Sequence, residues 1–193
     1  MISLFESWGR KNPSYEIHYE TNVIKPLTDF GKGTTETSDA KGKVLGAGYE
    51  ALIMAFFIGL YSNKRLSLNR DNGIKDLGQP IQFWGNVDSK KGRRSYPKLK
   101  EYMFMALVAK TKDVDWIELE KGNKTLNECV NLLMCTMEEY INYGLMVMEE
   151  KILDDENYFY NHSALLDIFR QLTTKEETKA KDTSNDIEPE PLD

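Results

Sequence analysis

The chain has 193 residues, 40% of them hydrophobic and 29% charged, with a formal net charge of −6. That length supports one hydrophobic core plus a tail, and the composition is that of an ordinary globular protein. The acidic balance excludes a generic polyanion binder acting through overall charge. No apolar run approaches the roughly 20 residues of a membrane span, which excludes a membrane protein.

The N-terminal stretch MISLFESWGRKNP has no basic region followed by an apolar one. No secretory signal or lipid anchor is therefore expected, and the chain reads as cytoplasmic. Residues 1–43 are the least regular part. Tyr15, Ile17 and Tyr19 alternate with Glu16, His18 and Glu20, a period-two pattern that predicts an extended segment. Pro26 ends whatever precedes it, and the polar, glycine-rich Gly31–Lys43 reads as a mobile connector.

Gly46–Leu60, GAGYEALIMAFFIGL, is apolar on nearly every face, with Glu50 its one charge. A helix of that kind belongs at the centre of a protein. It is expected from Val44 or Tyr49 to Tyr61, with Asn63 as terminator. Ser62–Ser95 then carries repeated turn signals: Asp71-Asn72-Gly73, Gly78, Pro80, Gly85-Asn86 and Gly92. Within it Arg65–Leu68 and Pro80–Trp84 are the two pieces that could pair as a short β-hairpin.

The second helix is expected over Tyr96–Thr111, with Ser95 as cap and Pro97 in its first turn. Leu99, Met103, Ala106, Leu107 and Lys110 trace one of its faces. A short helix over Val114–Glu120 is closed by Gly122. The longest helix begins after Thr125, where Thr125 and Glu128 form a capping-box signature. Its apolar stripe runs through Leu126, Val130, Leu133, Met137, Ile141, Leu145, Met148 and Ile152. Asn127, Glu128, Asn131, Glu138, Glu139, Asn142, Glu149 and Glu150 form the opposite, polar face.

Gly144 costs that helix about 1 kcal/mol against alanine, so a close helix crossing is expected there. Cys129 and Cys135, six residues apart, point about 240° apart on a helix, so they neither bridge nor share a metal. A last helix is expected over Asn157–Leu172, with Phe159, Leu165, Leu166, Phe169 and Leu172 available to the core. The remainder, 173–193, is too polar to order itself and reads as a disordered acidic tail.

Charge is unevenly spread. Ser62–Lys100 holds ten basic side chains against three acidic ones, a net of +7, whereas Glu128–Glu156 has a net of −7. Lys64, Arg65, Trp84, Lys90, Lys91, Arg93 and Arg94 are the candidate contact residues, with Phe83 and Tyr96 nearby. Cations neutralise backbone phosphates, and exposed aromatics stack on bases. The competing reading is a solvated basic loop that pairs with the acidic helix or with another subunit.

Other near-motifs fail on spacing. Gly31-Lys32-Gly33-Thr34 has Pro26 and Gly33 where a phosphate-binding loop needs glycine and a hydroxyl. Gly46-x-Gly48 lacks the third glycine of a dinucleotide fingerprint. His18, between Glu16 and Glu20, reads as a surface histidine with acidic neighbours before it reads as a metal ligand. His162 and Ser163 are adjacent and do not converge. The pairs Glu138-Glu139 and Glu149-Glu150 are expected on a solvated outer face. No catalytic, cofactor-binding or metal-binding residue is assigned.

Three segments carry a resemblance. They are Tyr49-Glu50-Ala51-Leu52 leading to Gly59-Leu60-Tyr61 and Lys64-Arg65, then Pro80–Trp84, then Met137–Leu145. In that order the chain resembles small helical proteins associated with bacterial DNA phosphorothioation (Dnd) modification–restriction loci, over Val44–Leu172. The resemblance implies an accessory role in DNA modification or phage defence and transfers no catalytic residue.

The expected architecture is mainly α: a compact single-domain bundle, 44–172, around one central apolar helix. Three functions follow from the sequence. The first is a non-catalytic accessory protein that meets DNA, or a subunit of a modification or restriction complex, through the basic connection. The second is a protein–protein adaptor without nucleic-acid contact. The third is a small enzyme with an ordinary-looking site.

Overall fold

The computed structural model describes residues 2–28, 44–85, 96, 98–112, 114, 117, 119, 121 and 125–172. Five helices longer than one turn are described: α1 (Leu4–Gly9), α2 (Gly48–Tyr61), α3 (Lys98–Lys110), α4 (Leu126–Asp154) and α5 (164–172), besides a single turn at Lys25–Leu27. Two short strands, β1 (Ser14–Glu16) and β2 (Ile74–Asp76), pair antiparallel. The protein is mainly helical, as its periodicity predicts. The expected connector 29–43, short helix 114–120 and tail 173–193 lie wholly or mostly outside the described residues.

α2 is the buried helix that its sequence requires. Ten of its fourteen residues are buried, among them Leu52, Ala55, Phe56 and Ile58. Its end is fixed by Asn63 in the left-handed region, φ 47°. The Lys64 N–H donates to the Gly59 carbonyl and the Asn63 N–H to that of Leu60, which is a Schellman closure.

α4 runs antiparallel to α2, its main packing partner, and α1, β1, α3 and the Tyr158–Tyr160 turn also pack against it. Its start is the expected capping box. The Glu128 N–H donates to Thr125 Oγ1, and the Thr125 N–H donates to Glu128 Oε2 at 2.7 Å. α1 opens on the same device, Ser3 with Glu6, a signature legible in the sequence and not read there.

The seam between α2 and α4 is built on two glycines. A Cβ on Gly59 would overlap the Tyr140 carbonyl, and one on Gly144 would overlap that of Ala55. Ala55/Gly59 and Tyr140/Gly144 are each one helical turn apart, so the two backbones approach closely along a full turn. This is the crossing that Gly144 predicts.

Residues 2–28 belong to the core. Trp8, Tyr15, Tyr19, Val23, Ile24 and Leu27 are all buried. The extended reading of 15–20 holds only for Ser14–Glu16. From His18 the chain coils through a π-helical turn, Glu20–Ile24. The buried set Tyr15, Tyr19, Val23, Leu27 has spacing four, and Ile17 is 47% exposed. The helical period buries more apolar surface than the alternation does.

The hairpin expected within 62–95 also changes. β2 comes from that connection, but its partner is β1, in the register Ser14↔Asp76, Tyr15↔Lys75 and Glu16↔Ile74. Arg65–Leu68 forms no strand, and Ile81–Phe83 is a 3₁₀ turn. In α5 the core residues are Ala164 and Ile168, while Leu166 is 53% exposed.

Candidate functional site

The first turn of α2 holds both ends of the most basic segment. Trp84 is fully buried, and its ring stacks on Tyr49 with centroids 5.8 Å apart and planes 16° apart. Its Nε1 donates to the Gln79 carbonyl at 2.9 Å. The adjacent Glu50 accepts from the Tyr96 hydroxyl on Oε1 at 2.9 Å and from the Gly46 N–H on Oε2 at 2.7 Å.

The Tyr96 N–H closes the neck by donating to the Gly85 carbonyl at 2.9 Å. Gly85 has φ 68°, and a Cβ there would lie 2.5 Å from the Tyr96 ring. Only glycine fits that turn and that contact. Burial, followed by hydrogen bonding to Tyr49 and Glu50, pushes the Tyr96 hydroxyl far up, so it stays a donor.

Lys90, Lys91, Arg93 and Arg94 lie between those two clamped ends and outside the described residues. Trp84 is corrected: as a wholly buried anchor it offers no face to a ligand. The exposed aromatic is its neighbour Phe83, 49% exposed on the 3₁₀ turn.

Lys64 and Arg65 lie elsewhere. They follow the C-terminal end of α2, on the order of 20 Å along the axis from Tyr49 and Glu50. Lys64 Nζ sits 5.6 Å from the Tyr143 ring centroid, and Arg65 Nη1 is 3.6 Å from Glu139 Oε2. Of the three described candidates, Lys64 and Arg65 therefore do not share a patch with Trp84.

The structure adds two cations remote in sequence from the connection, Arg10 and Lys11. The Ile81 N–H donates to the Lys11 carbonyl at 3.1 Å, and Gly9 faces Gln82. Lys100 Nζ donates to the Gln82 carbonyl at 2.6 Å. The main chain at Arg10 and Lys11, just after α1, and the Lys100 side chain from α3 thus come to the turn that carries Phe83. Glu6 and Glu101 are the acids on the same helical segments. Only the chain reversal after α1 brings Arg10 and Lys11 here.

The acidic face of α4 is covered between Glu138 and Glu149, against expectation, while Asn127, Glu128, Asn131 and Glu150 stay exposed. Asn142 is fully buried and donates to Glu16 Oε1 at 2.9 Å. Glu16, 4% exposed, also accepts the Asn69 N–H at 2.9 Å and Asn72 Nδ2 at 2.6 Å. Burial would raise the Glu16 carboxyl, but these three donors and His18 outweigh it and hold it below the usual range.

Glu138 accepts the Ser14 N–H at 2.8 Å, yet burial leads and its carboxyl is pushed up, with Asp76 adding to the effect. Glu139 accepts from Ser67, and Glu149 from Asn22. These carboxylates dock the N-terminal segment and the connection onto α4. Part of a face read as solvated is an internal polar seam.

Chemistry on that seam is limited by geometry. His18 Nδ1 lies 3.7 Å from Glu16 and Nε2 3.8 Å from Glu149. The two carboxylates face opposite ring nitrogens and cannot share one ion with the imidazole. Among the described residues no group of three His, Cys, Asp or Glu side chains is placed to hold a metal.

Ser163 Oγ donates to Asp167 Oδ2 at 2.7 Å at the start of α5, a capping role. Cys129 is buried and Cys135 exposed, both free. Burial first, then Glu139 and Glu138, push the Cys135 thiol up, against thiolate formation. Along the outer side of α2 runs an apolar groove of about 580 Å³ lined by Ile53, Phe57, Tyr96 and Phe169, with Glu50 its one charged group.

No described helix is long and apolar enough to cross a membrane. No protein-family model matches the chain, and neither the curated proteins nor the solved structures include a similar one.

Proposed function

We propose that this chain is a non-catalytic accessory protein of a bacterial DNA modification or phage-defence system, contacting DNA through the Gly85–Tyr96 basic segment. The observation that carries the reading is the double clamp on α2. Consecutive residues Tyr49 and Glu50 hold Trp84 and Tyr96, the two roots of the segment containing Lys90, Lys91, Arg93 and Arg94. The most buried helix of the fold thereby anchors its most basic stretch. Lysine and arginine on such a segment release condensed counterions from phosphates, which makes binding steeply salt-dependent.

The resemblance to Dnd-associated proteins supports the same role. It also implies that the chain acts beside modification or restriction subunits.

The adaptor reading loses part of its surface. Of the acidic face of α4, Glu138, Glu139, Asn142 and Glu149 are engaged within the protein.

The test is fluorescence anisotropy with labelled DNA at about 50 mM salt, using wild type and the K90A/K91A/R93A/R94A variant. Binding that falls with salt and is lost in the variant supports the proposal. Binding untouched by the variant ends it. Neighbouring genes give a second check: a purely metabolic neighbourhood contradicts the defence role.

A further inference from the structure

We infer that the turn carrying Phe83 is a stacking platform for unpaired nucleic-acid bases, completed by Arg10, Lys11 and Lys100. The inference rests on the nucleic-acid reading above and narrows it to single-stranded substrate.

Phe83 is a wholly apolar ring, and leaving it about half exposed forgoes burial that would stabilise the fold by on the order of 1 kcal/mol. The core is one residue away, where Trp84 is completely buried. The outward position of Phe83 follows from a turn fixed at several points. The Ile81 N–H is bonded to Lys11, the Gln82 carbonyl to Lys100, and the Trp84 indole to Gln79. The ring is thus presented on a preorganised backbone, which lowers the ordering cost of a contact.

The surroundings supply the second half of a single-strand site. The segment Arg10-Lys11 after α1 is bonded to the turn through the Lys11 carbonyl, and Lys100 reaches it from α3, so two segments bring basic residues to it. Base–aromatic stacking contributes about 1–3 kcal/mol per base and needs an open base face. A duplex keeps its base faces stacked and offers Phe83 nothing. Lys100 acts as a positioning residue through the Gln82 carbonyl, whereas Arg10 and Lys11 meet phosphates.

The experiment is an anisotropy titration of full-length protein against a labelled dT oligomer of about 12 nucleotides, within the site sizes of such folds. A duplex of equal length is titrated in parallel. F83A is expected to weaken unpaired binding about 5- to 150-fold with duplex binding unchanged. F83Y is expected to restore it. Y61A, at an exposed aromatic on the far end of α2, should change neither.

R10A and K11A should each lower the salt slope by about 0.7. Equal unpaired affinity in F83A and wild type, or an equal loss on duplex, overturns the inference. If F83A is silent while K90A/K91A/R93A/R94A abolishes binding, the inference fails and the proposed function stands. If wild type binds neither probe, both fail.

Discussion

Gly144→Ala separates local preference from tertiary demand more sharply than any other single change. In an isolated helix it is favourable by about 1 kcal/mol, because alanine is the better helix former. In this fold the new methyl group would occupy the position of the Ala55 carbonyl on α2. The obstacle is backbone, so no side-chain rotation relieves it, and the helices must separate. A gap of about 1 Å forfeits up to about half the dispersion energy of each contact across the seam.

Phe56, Leu52, Tyr140, Ile141 and Leu145 are all buried beside that seam. Overpacking of this kind typically costs about 1–3 kcal/mol and occasionally more. With backbone opposing backbone we expect the upper end, hence a net loss of about 2 kcal/mol or more after the helix gain. Urea unfolding followed by helical circular dichroism measures it, with N131A on the exposed face of α4 as the control. A G144A protein as stable as wild type would show that the close approach is not a requirement of the fold.

Further outcomes follow from the same geometry. G59A should behave like G144A, since its methyl would meet the Tyr140 carbonyl; an unchanged urea midpoint would count against a two-sided seam. E16Q puts an amide donor among three donors, so unfolding at pH 7 should need about 1–3 kcal/mol less. The Glu16 carboxyl is held below its usual value. Its stabilisation is therefore full above the unfolded value of about 4.3 and fades as pH falls through the folded one, closing the gap between E16Q and wild type.

E138Q should do the reverse. The Glu138 carboxyl is raised, so its favourable contribution lies at low pH and is lost as pH rises through the folded value. The glutamine keeps an acceptor for the Ser14 N–H, and its urea midpoint should exceed wild type at pH 7 and converge towards pH 4; a lower midpoint at pH 7 would refute this. N63V should cost about 1–2 kcal/mol and N63G little or nothing, given the left-handed backbone there; equal midpoints for the two would remove Asn63 from the closure of α2.

The sequence by itself determined the helices with strong local signals. Val130, Leu133, Met137, Ile141 and Leu145 recur every three or four residues, and Thr125 with Glu128 starts α4 where the structure starts it. Gly46–Leu60, having no polar face, had to be central. Gly144 in an otherwise strong helix pointed to a close crossing. These features depend on neighbours within a few positions, and sequence records them directly.

Contacts between distant segments were decided by tertiary structure alone. Glu16 looked like one of several charges in an alternating strand, and only its meeting with Asn69, Asn72 and Asn142 makes it a buried acceptor. Trp84 and Phe83 are consecutive aromatics of equal promise in sequence. The fold buries the first against Tyr49 and leaves the second outside. Arg10 and Lys11 lie more than seventy residues before Phe83 in the chain, and the pairing of Lys11 with Ile81 brings them beside it. Local patterns fix which face of an element is apolar, while burial and charge at a site depend on which elements come to share it, and no short-range pattern encodes that.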